Sequence, residues 1–267
     1  MPAPDEGAIW DPDRYLAFAD LRSRPGLELM TRISHPNPTT IIDLGCGPGH
    51  LTAVMARRWP EARTIGVDGS ETMLARAATL FPAHDWPSID WQHGDIANWV
   101  PIEPASIVFS NAALHWVPDH RRLFRNLMAS VLPGGTLAVQ MPDNWDQPSH
   151  VAISRLVDRP RWRARAAPAF LRHPVAEASE YRAWLGDLSA EIDQWRTTYF
   201  HVLDGPNPVL EWVRGSVLAP VLTALDESDR QPFEAELANL YRQAYPPQPD
   251  GTTIFPFSRI FVVAIRR

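Results

Sequence analysis

The chain has 267 residues, a hydrophobic fraction of 45% and a formal net charge of -6, which suits one α/β domain with a smaller part added. No apolar run approaches the roughly 18 residues of a membrane span, and no basic run offers the face of a nucleic-acid binder. With one cysteine and no signal-like start, we expect a cytoplasmic monomer without disulfides, membrane contact or nucleic-acid partner.

The first half of the chain alternates strand and helix patterns. Residues 13–33 predict two short helices around a Pro-Gly interruption, and helical spacing recurs between the later β-rich runs. The predicted strands cover residues 40–44, 64–68, 89–92, 106–110 and 136–140. Asp119 is placed to cap the helix before the fifth strand, and Pro133-Gly134-Gly135 to end that helix. This alternation predicts a parallel sheet with helices on both faces.

The pattern changes after residue 141. Residues 145–190 show irregular helical spacing, 192–203 predict a sixth strand, 208–244 are helical again, and 259–265 predict a last strand. Two strands that enclose a helical insertion, after five parallel units, suggest an antiparallel edge. We therefore divide the chain into an N-terminal lid (1–35), a cofactor-binding core (36–142), a helical cap insertion (143–190) and the last two strands (191–267) with a helical insertion at about 207–250.

Three glycines, Gly45, Gly47 and Gly49, directly follow the first strand and precede a helix. Glycine allows a tight turn and close backbone approach to a ligand, and the helix N-terminus favours an anionic group. Such a loop alone is a weak signal, because NAD-binding folds also have one. The spacing here differs from G-x-G-x-x-G, and Asp43 stands two residues before the first glycine, where it could bind a ligand ammonium or fix the loop.

Polar side chains also follow the next three predicted strands. Asp68 ends the second strand, where a carboxylate can accept both ribose hydroxyls of a nucleoside. After the third strand, Asp95 could accept from an adenine amino group while Ile96 packs on the ring. Asn111 ends the fourth strand, near the position expected of the reacting group. All four strand ends should meet at one edge of the sheet, the edge at which open α/β folds bind ligands.

The segments DLGCGPG, VDGS and GDI, in this order, resemble the class I S-adenosylmethionine-dependent methyltransferases. The resemblance implies a Rossmann-like seven-stranded sheet of order 3-2-1-4-5-7-6 with the seventh strand antiparallel, helical cap insertions, and S-adenosylmethionine as cofactor. It also implies a set of cofactor-binding residues: Arg22, Asp43, Gly45, Cys46, Gly47, Asp68, Gly69, Met73, Asp95, Ile96 and Asn111.

A second resemblance covers nearly the whole chain. The segments that carry it are WDPDRYLAF, RSRP, HWVPDH, QMPDNW, WRTTYFH, EWVRG and FPFSRIFVVA. These look like the trans-aconitate 2-methyltransferases, which convert one carboxylate of a tricarboxylic acid into a methyl ester. The resemblance thus implies a small polycarboxylic acid as acceptor substrate.

Methylation of a carboxylate requires little acid–base chemistry, because the carboxylate is already ionised at pH 7. We expect no metal and no His-Asp dyad; the protein must position and desolvate the acceptor. All 25 cationic residues are arginines, and arginine suits carboxylates. The substrate candidates are Arg214, Arg259, a covering Trp145 and Tyr15, which lies with Arg22 in the N-terminal lid. For Arg214, an ordinary surface ion pair is the competing interpretation.

Two further hypotheses stay open at this point. A methyltransferase that acts on a phenol or amine would need a deprotonating group, for which His115 is the obvious candidate, with Asn111 nearby. A non-catalytic S-adenosylmethionine-binding module would need no closed acceptor pocket. The predicted helical cap, which would close such a pocket, argues against this hypothesis. A nicotinamide dehydrogenase is the least favoured reading of the glycine loop.

Overall fold

The computed structural model describes residues 23–170 and 175–267. These residues divide into two compact units, each built from separate stretches of chain. The first unit contains residues 23–141, 175–195 and 260–267, and the second contains 142–170 and 196–259. Tyr15 and Arg22 lie outside the described residues, as does most of the predicted N-terminal lid.

Seven strands form one sheet of order β3-β2-β1-β4-β5-β7-β6, which confirms the predicted fold. The strands are β1 Thr40–Leu44, β2 Arg63–Asp68, β3 Ile89–His93, β4 Ala105–Asn111, β5 Val131–Pro142, β6 Ser189–Leu203 and β7 Thr253–Arg266. The pairs β1–β2, β1–β4, β2–β3 and β4–β5 are parallel. The carboxyl ends of the first five strands therefore lie at a common edge.

Ten helices accompany these strands within the described part of the chain. They are α1 Arg24–Thr31, α2 His50–Arg58, α3 Glu71–Leu80, α4 His120–Ala129, α5 Pro148–Val157, α6 Arg163–Ala169, α7 Ala178–Leu185, α8 Pro208–Arg214, α9 Ala219–Ala224 and α10 Glu227–Ala244. A short 3-10 helix, Leu114–Trp116, follows β4. No described helix has both the length and the apolar character to cross a membrane.

The core of the first unit lies between the central strands and the helices that cover them. Strands β1 and β4 are buried along nearly their whole length, as expected of parallel strands covered on both faces. Helix α4 buries the apolar face that its spacing predicts, including Phe124 and Leu127. Asp119 caps this helix by accepting from the Arg122 N–H at 3.2 Å, which confirms the predicted N-cap.

Two local predictions, the end of α4 at Pro133 and the start of the fifth strand at residue 136, were wrong in detail. Pro133-Gly134-Gly135 does not separate α4 from a later strand, because β5 already begins at Val131 and these residues form a bulge in it. The bulge follows from the register, in which Ala105 pairs with Val131 but Ile107 pairs with Thr136, and from Gly134 at φ +77°. The predicted helical stretch 208–244 consists of the three helices α8, α9 and α10.

The second unit is an α-helical assembly with its own apolar core. Residues of α5, α8, α9, α10 and the first half of β7 form this core, with Trp162 and Phe233 fully buried. Tyr241 and Tyr245 hold Ser149 at the start of α5, through Ser149 O at 3.0 Å and Ser149 N–H at 3.0 Å. The predicted cap 143–190 thus spans both units, because α7 belongs to the core of the first.

Candidate active site

The glycine loop between β1 and α2 has two kinds of glycine. Gly45, at φ +75°, is required by packing, since a Cβ there would lie 2.2 Å from the Ala113 Cβ. Gly47, at φ +54°, has no atom of the described residues within 4 Å of its Cβ position. Packing among the described residues therefore does not explain Gly47, and the open space beside it is where a ligand could approach the backbone.

Asp68, at the end of β2, connects the loop after β1 to the loop after β2 through hydrogen bonds. Its Oδ2 accepts from the Gly47 N–H at 2.8 Å, and its Oδ1 accepts from the Ser70 N–H at 2.8 Å. An ionised carboxylate has about four acceptor positions, so both oxygens keep capacity for further donors. The side chain is thus held in place and still able to accept the two hydroxyls of a ribose.

Asp43 is almost fully buried under the same loop, with 2% of its surface exposed. Its Oδ2 accepts from the Thr52 hydroxyl on α2 at 2.6 Å. Burial raises the pKa of Asp43 to about 7, the negative charge of Asp68 adds to the rise, and the Thr52 hydrogen bond partly offsets it. The sequence left two roles open for Asp43, fixing the loop or binding a ligand ammonium. The Thr52 hydrogen bond supports the first role. A ligand cation nearby would favour the ionised form of Asp43.

Cys46 occupies the centre of the loop as a small, nearly buried residue. Its Sγ donates to the Gly47 carbonyl at 3.7 Å. Burial raises the pKa of this thiol further above its usual range, so the thiol stays protonated and is a poor nucleophile.

Asn111, at the end of β4, carries a buried acceptor that no described residue satisfies. Its Oδ1 has no hydrogen-bond partner in the described part of the chain. Helix α1 approaches it so closely that a Cβ on Gly26 would lie 3.1 Å from the Asn111 Cγ. A buried polar atom left unpaired costs about 1–3 kcal/mol, so a ligand donor at this position would be stabilising.

The carboxylate that follows β3, unlike those of Asp43 and Asp68, is exposed to solvent. Asp95 is exposed, and its carboxylate accepts from the Ala97 N–H at 3.0 Å and from the Asn98 Nδ2 at 2.9 Å. Ile96 packs on the core of the first unit, and Met73, next to the Ser70 cap of α3, is 41% exposed. The Gly69 carbonyl lies 3.1 Å from the His93 Nε2. Contact of these residues with an adenine ring stays a prediction.

His120, which the sequence did not single out, holds the loop after β4. Its Nδ1 lies 2.6 Å from the Tyr181 hydroxyl and its Nε2 lies 3.1 Å from the Leu114 carbonyl. A carbonyl only accepts, so the imidazole donates from Nε2 to Leu114. The 3-10 turn that carries His115, whose ring packs at 4.6 Å from that of Trp116, is thereby tied to α7. The only sequence signal was a histidine directly after the helix cap in HWVPDH.

The two predicted acceptor arginines lie in contrasting surroundings. Arg214 is 44% exposed and pairs with Glu211 at 3.1 Å and Glu234 at 2.9 Å, so the surface ion pair is the arrangement observed. Arg259 is only 3% exposed, and its guanidinium lies 4.6 Å from the Phe257 ring centre and 5.9 Å from that of Tyr199. The structure thus separates a solvent-facing arginine from a buried one.

Trp145, the predicted cover of the acceptor, lines a cavity of about 200 Å³ within the second unit. Its ring packs edge-on against His150 and Phe170, at 5.0 and 5.6 Å between ring centres. Arg155 contributes a cationic side chain to the same cavity, and Asp146 an acidic one.

Comparison with known proteins agrees with this arrangement. Residues 41–135 match the family model described as a methyltransferase domain. The trans-aconitate 2-methyltransferase of Methylobacterium nodulans is 43% identical over 97% of this chain and 99% of its own length. That of Rhodococcus jostii is 43% identical over 96% and 99%. The chain belongs to the trans-aconitate 2-methyltransferase family. As a member of it, the chain is an S-adenosylmethionine-dependent methyltransferase.

A solved structure supports the fold independently. The YcgJ protein of Bacillus subtilis superposes with a TM-score of 0.56 at 15% identity, covering 91% of this chain and 97% of its own.

The first unit contains groups that fit S-adenosylmethionine. The space at Gly47 admits a ligand against the backbone, Asp68 offers free acceptor positions, and the Asn111 Oδ1 offers an unused buried acceptor. All three groups suit a cofactor that carries an ammonium group and two ribose hydroxyls. Among the described residues, no three His, Cys, Asp or Glu side chains are grouped so as to hold a metal ion.

Proposed function

We propose that this chain converts a carboxylate of trans-aconitate, or of a closely similar polycarboxylic acid, into its methyl ester. The observation that supports this most is the extent of the similarity to relatives named for that activity. The match covers 97% of the chain, so it includes the second unit as well as the methyltransferase domain at 41–135.

The residues of the first unit would hold the cofactor. We assign Gly47 and Asp68 to the nucleoside part, and Asn111 and Asp43 to a positively charged part. When bound, S-adenosylmethionine supplies a methyl group on a sulfonium, and a carboxylate oxygen takes this group to give the ester and S-adenosylhomocysteine. Because a carboxylate is ionised at neutral pH, the chain needs to supply position and exclusion of water rather than a base.

Arg259 is the better of the two predicted acceptor arginines. Ser258 is tied to the residues that follow β5, because its carbonyl accepts from the Asp143 N–H at 2.9 Å. Arg259 therefore sits close to the carboxyl end of β5, and its buried guanidinium can bind a carboxylate with two hydrogen bonds in a medium of low polarity.

An assay on a panel of acids tests the proposal. The protein is incubated with S-adenosylmethionine and with di- and tricarboxylic acids, and a base-labile methyl ester is sought by mass spectrometry. We expect the ester to form with trans-aconitate. Turnover of phenols or amines alone would contradict the carboxylate part of the proposal.

A matched pair of arginine variants tests the acceptor assignment. We expect Arg259→Gln to raise KM for trans-aconitate by about 100-fold, since a charge-assisted hydrogen bond contributes about 1.5–3 kcal/mol. Arg214→Gln should change it by less than about threefold, because exposed ion pairs contribute little. Equal effects of the two substitutions on KM would contradict the assignment of Arg259, rather than Arg214, to the acceptor site.

The monomeric state and the cytoplasmic location expected from the sequence remain predictions. Sedimentation velocity of the purified chain checks the first, and cell fractionation the second.

A further inference from the structure

We propose that Asn144 is a second acceptor-binding residue, whose Nδ2 group donates a hydrogen bond to a carboxylate of the substrate that Arg259 also contacts. This inference rests on the function proposed above and extends it to a residue for which the sequence suggested no role.

The orientation of the Asn144 amide is set by the backbone. Its Oδ1 accepts from the Ser258 N–H at 2.8 Å, so the other amide position must be the NH₂ group. Asn144 is only 3% exposed. Its Nδ2 is buried and, within residues 23–170 and 175–267, has no hydrogen-bond partner.

A buried donor without a partner is unusual in a folded protein. Most buried polar side-chain atoms are paired, and leaving one unpaired costs about 1–3 kcal/mol. A bound group that accepts from Nδ2 would remove this cost. The adjacent acid, Asp143, is already paired with Arg196 at 2.7 Å.

The surroundings of Asn144 indicate what that bound group is. The residue lies two positions after the end of β5, and the Ser258 N–H that holds it belongs to the residue before Arg259. Trp145 follows directly and lines the cavity of about 200 Å³ that Arg155 also lines. A fixed amide donor is thus held at the residue that precedes a buried arginine in β7, and a carboxylate is the group that accepts from both amide and guanidinium donors.

The acid substrate has enough carboxylates for such an arrangement. One carboxylate receives the methyl group, and a second one remains to be held by Asn144 and Arg259. Asn144 would thereby help to select polycarboxylic over monocarboxylic acids.

The variant Asn144→Asp distinguishes a role of Asn144 as hydrogen-bond donor to the substrate from a purely structural role in holding Ser258. The aspartate keeps an oxygen that can accept from the Ser258 N–H, and it replaces the donor by a negative charge. We expect Kd for trans-aconitate, titrated by calorimetry into the complex with S-adenosylhomocysteine, to rise at least 30-fold. The Kd for S-adenosylhomocysteine itself should stay within threefold. Asn239→Asp, at an exposed position of the same unit, is the matched control and should leave both constants unchanged.

Asn144→Leu covers the case in which a buried aspartate prevents folding. Leucine has a similar volume without charge or donor, and we expect the same selective loss of trans-aconitate affinity while S-adenosylhomocysteine still binds. If either variant retains both cofactor and wild-type trans-aconitate affinity, the role of Asn144 is disproved and the proposed function is untouched. A wild-type protein that neither binds nor methylates trans-aconitate would overturn the proposed function and this inference together.

Discussion

Gly47→Ala is the most direct test of the cofactor site, because the structure separates its effect on folding from its effect on binding. An alanine at φ +54° costs about 1–2 kcal/mol of backbone strain. Since no atom of residues 23–170 and 175–267 lies within 4 Å of the new Cβ, these residues add no steric clash to that strain. For a chain of this size, 1 kcal/mol corresponds to about 2–4 °C in Tm.

Gly134→Ala provides a matched control for this strain. Gly134 has φ +77° and an equally open Cβ position, but it lies in the β5 bulge. We therefore expect similar losses of Tm in the two variants. Only Gly47→Ala should also weaken S-adenosylhomocysteine binding, by at least about tenfold or 1.4 kcal/mol, because its methyl group occupies the space that the ligand needs.

Thermal melting and calorimetric titration with S-adenosylhomocysteine decide the outcome. If Gly47→Ala binds the ligand as tightly as Gly134→Ala does, the space beside Gly47 is not part of the cofactor site. Gly45→Ala offers a further contrast, since the 2.2 Å approach to Ala113 predicts a loss of folding rather than of affinity alone.

Three more predictions concern the same unit. Asp68→Asn should lower S-adenosylhomocysteine affinity by about 100-fold and stability by about 1–3 kcal/mol, because its carboxylate accepts from two backbone N–H groups; a melting curve and a titration measure both, and unchanged affinity would exclude ribose contact. The folded-state pKa of Asp43 is raised from 3.8 to about 7, so its contribution to stability is complete below about pH 4 and is lost as the pH rises through 7. Relative to Asp43→Asn, the free energy of unfolding of the wild type should fall by at most about 4 kcal/mol over that window; parallel urea-melting profiles would refute this. His115→Ala should reduce kcat on trans-aconitate less than tenfold, because a carboxylate needs no base, whereas complete loss would show that transfer to the carboxylate depends on His115.

The strand ends that carry the proposed cofactor-binding residues were predictable, because their signals are local. Gly45, Gly47 and Asp68 each lie at a strand end whose hydrophobic pattern is clear, and the parallel order brings these ends to one edge. The open space at Gly47 and the unpaired acceptor of Asn111 cannot be predicted from the residue types. They appear only once the packing of α1 and the loop after β4 is known.

The second unit was less predictable, because its contacts join residues far apart in the chain. Asn144 accepts a hydrogen bond from Ser258, 114 positions away, and no local sequence pattern predicts such a hydrogen bond. Arg214 and Arg259 are the same residue type, and only burial distinguishes them. Helix α7 belongs to the first unit because Tyr181 packs there and bonds to His120, 61 positions earlier; its amphipathic pattern fits either unit.

The division of the second unit into two stretches, 142–170 and 196–259, constrains how this unit could be exchanged or removed. Both stretches are flanked on each side by residues of the first unit, so a truncation removes parts of the methyltransferase domain or of the sheet before it isolates the second unit. A chimera that replaces the second unit must exchange both stretches together. Three of the four exchange points then fall within a strand, because β5, β6 and β7 all run from one unit into the other.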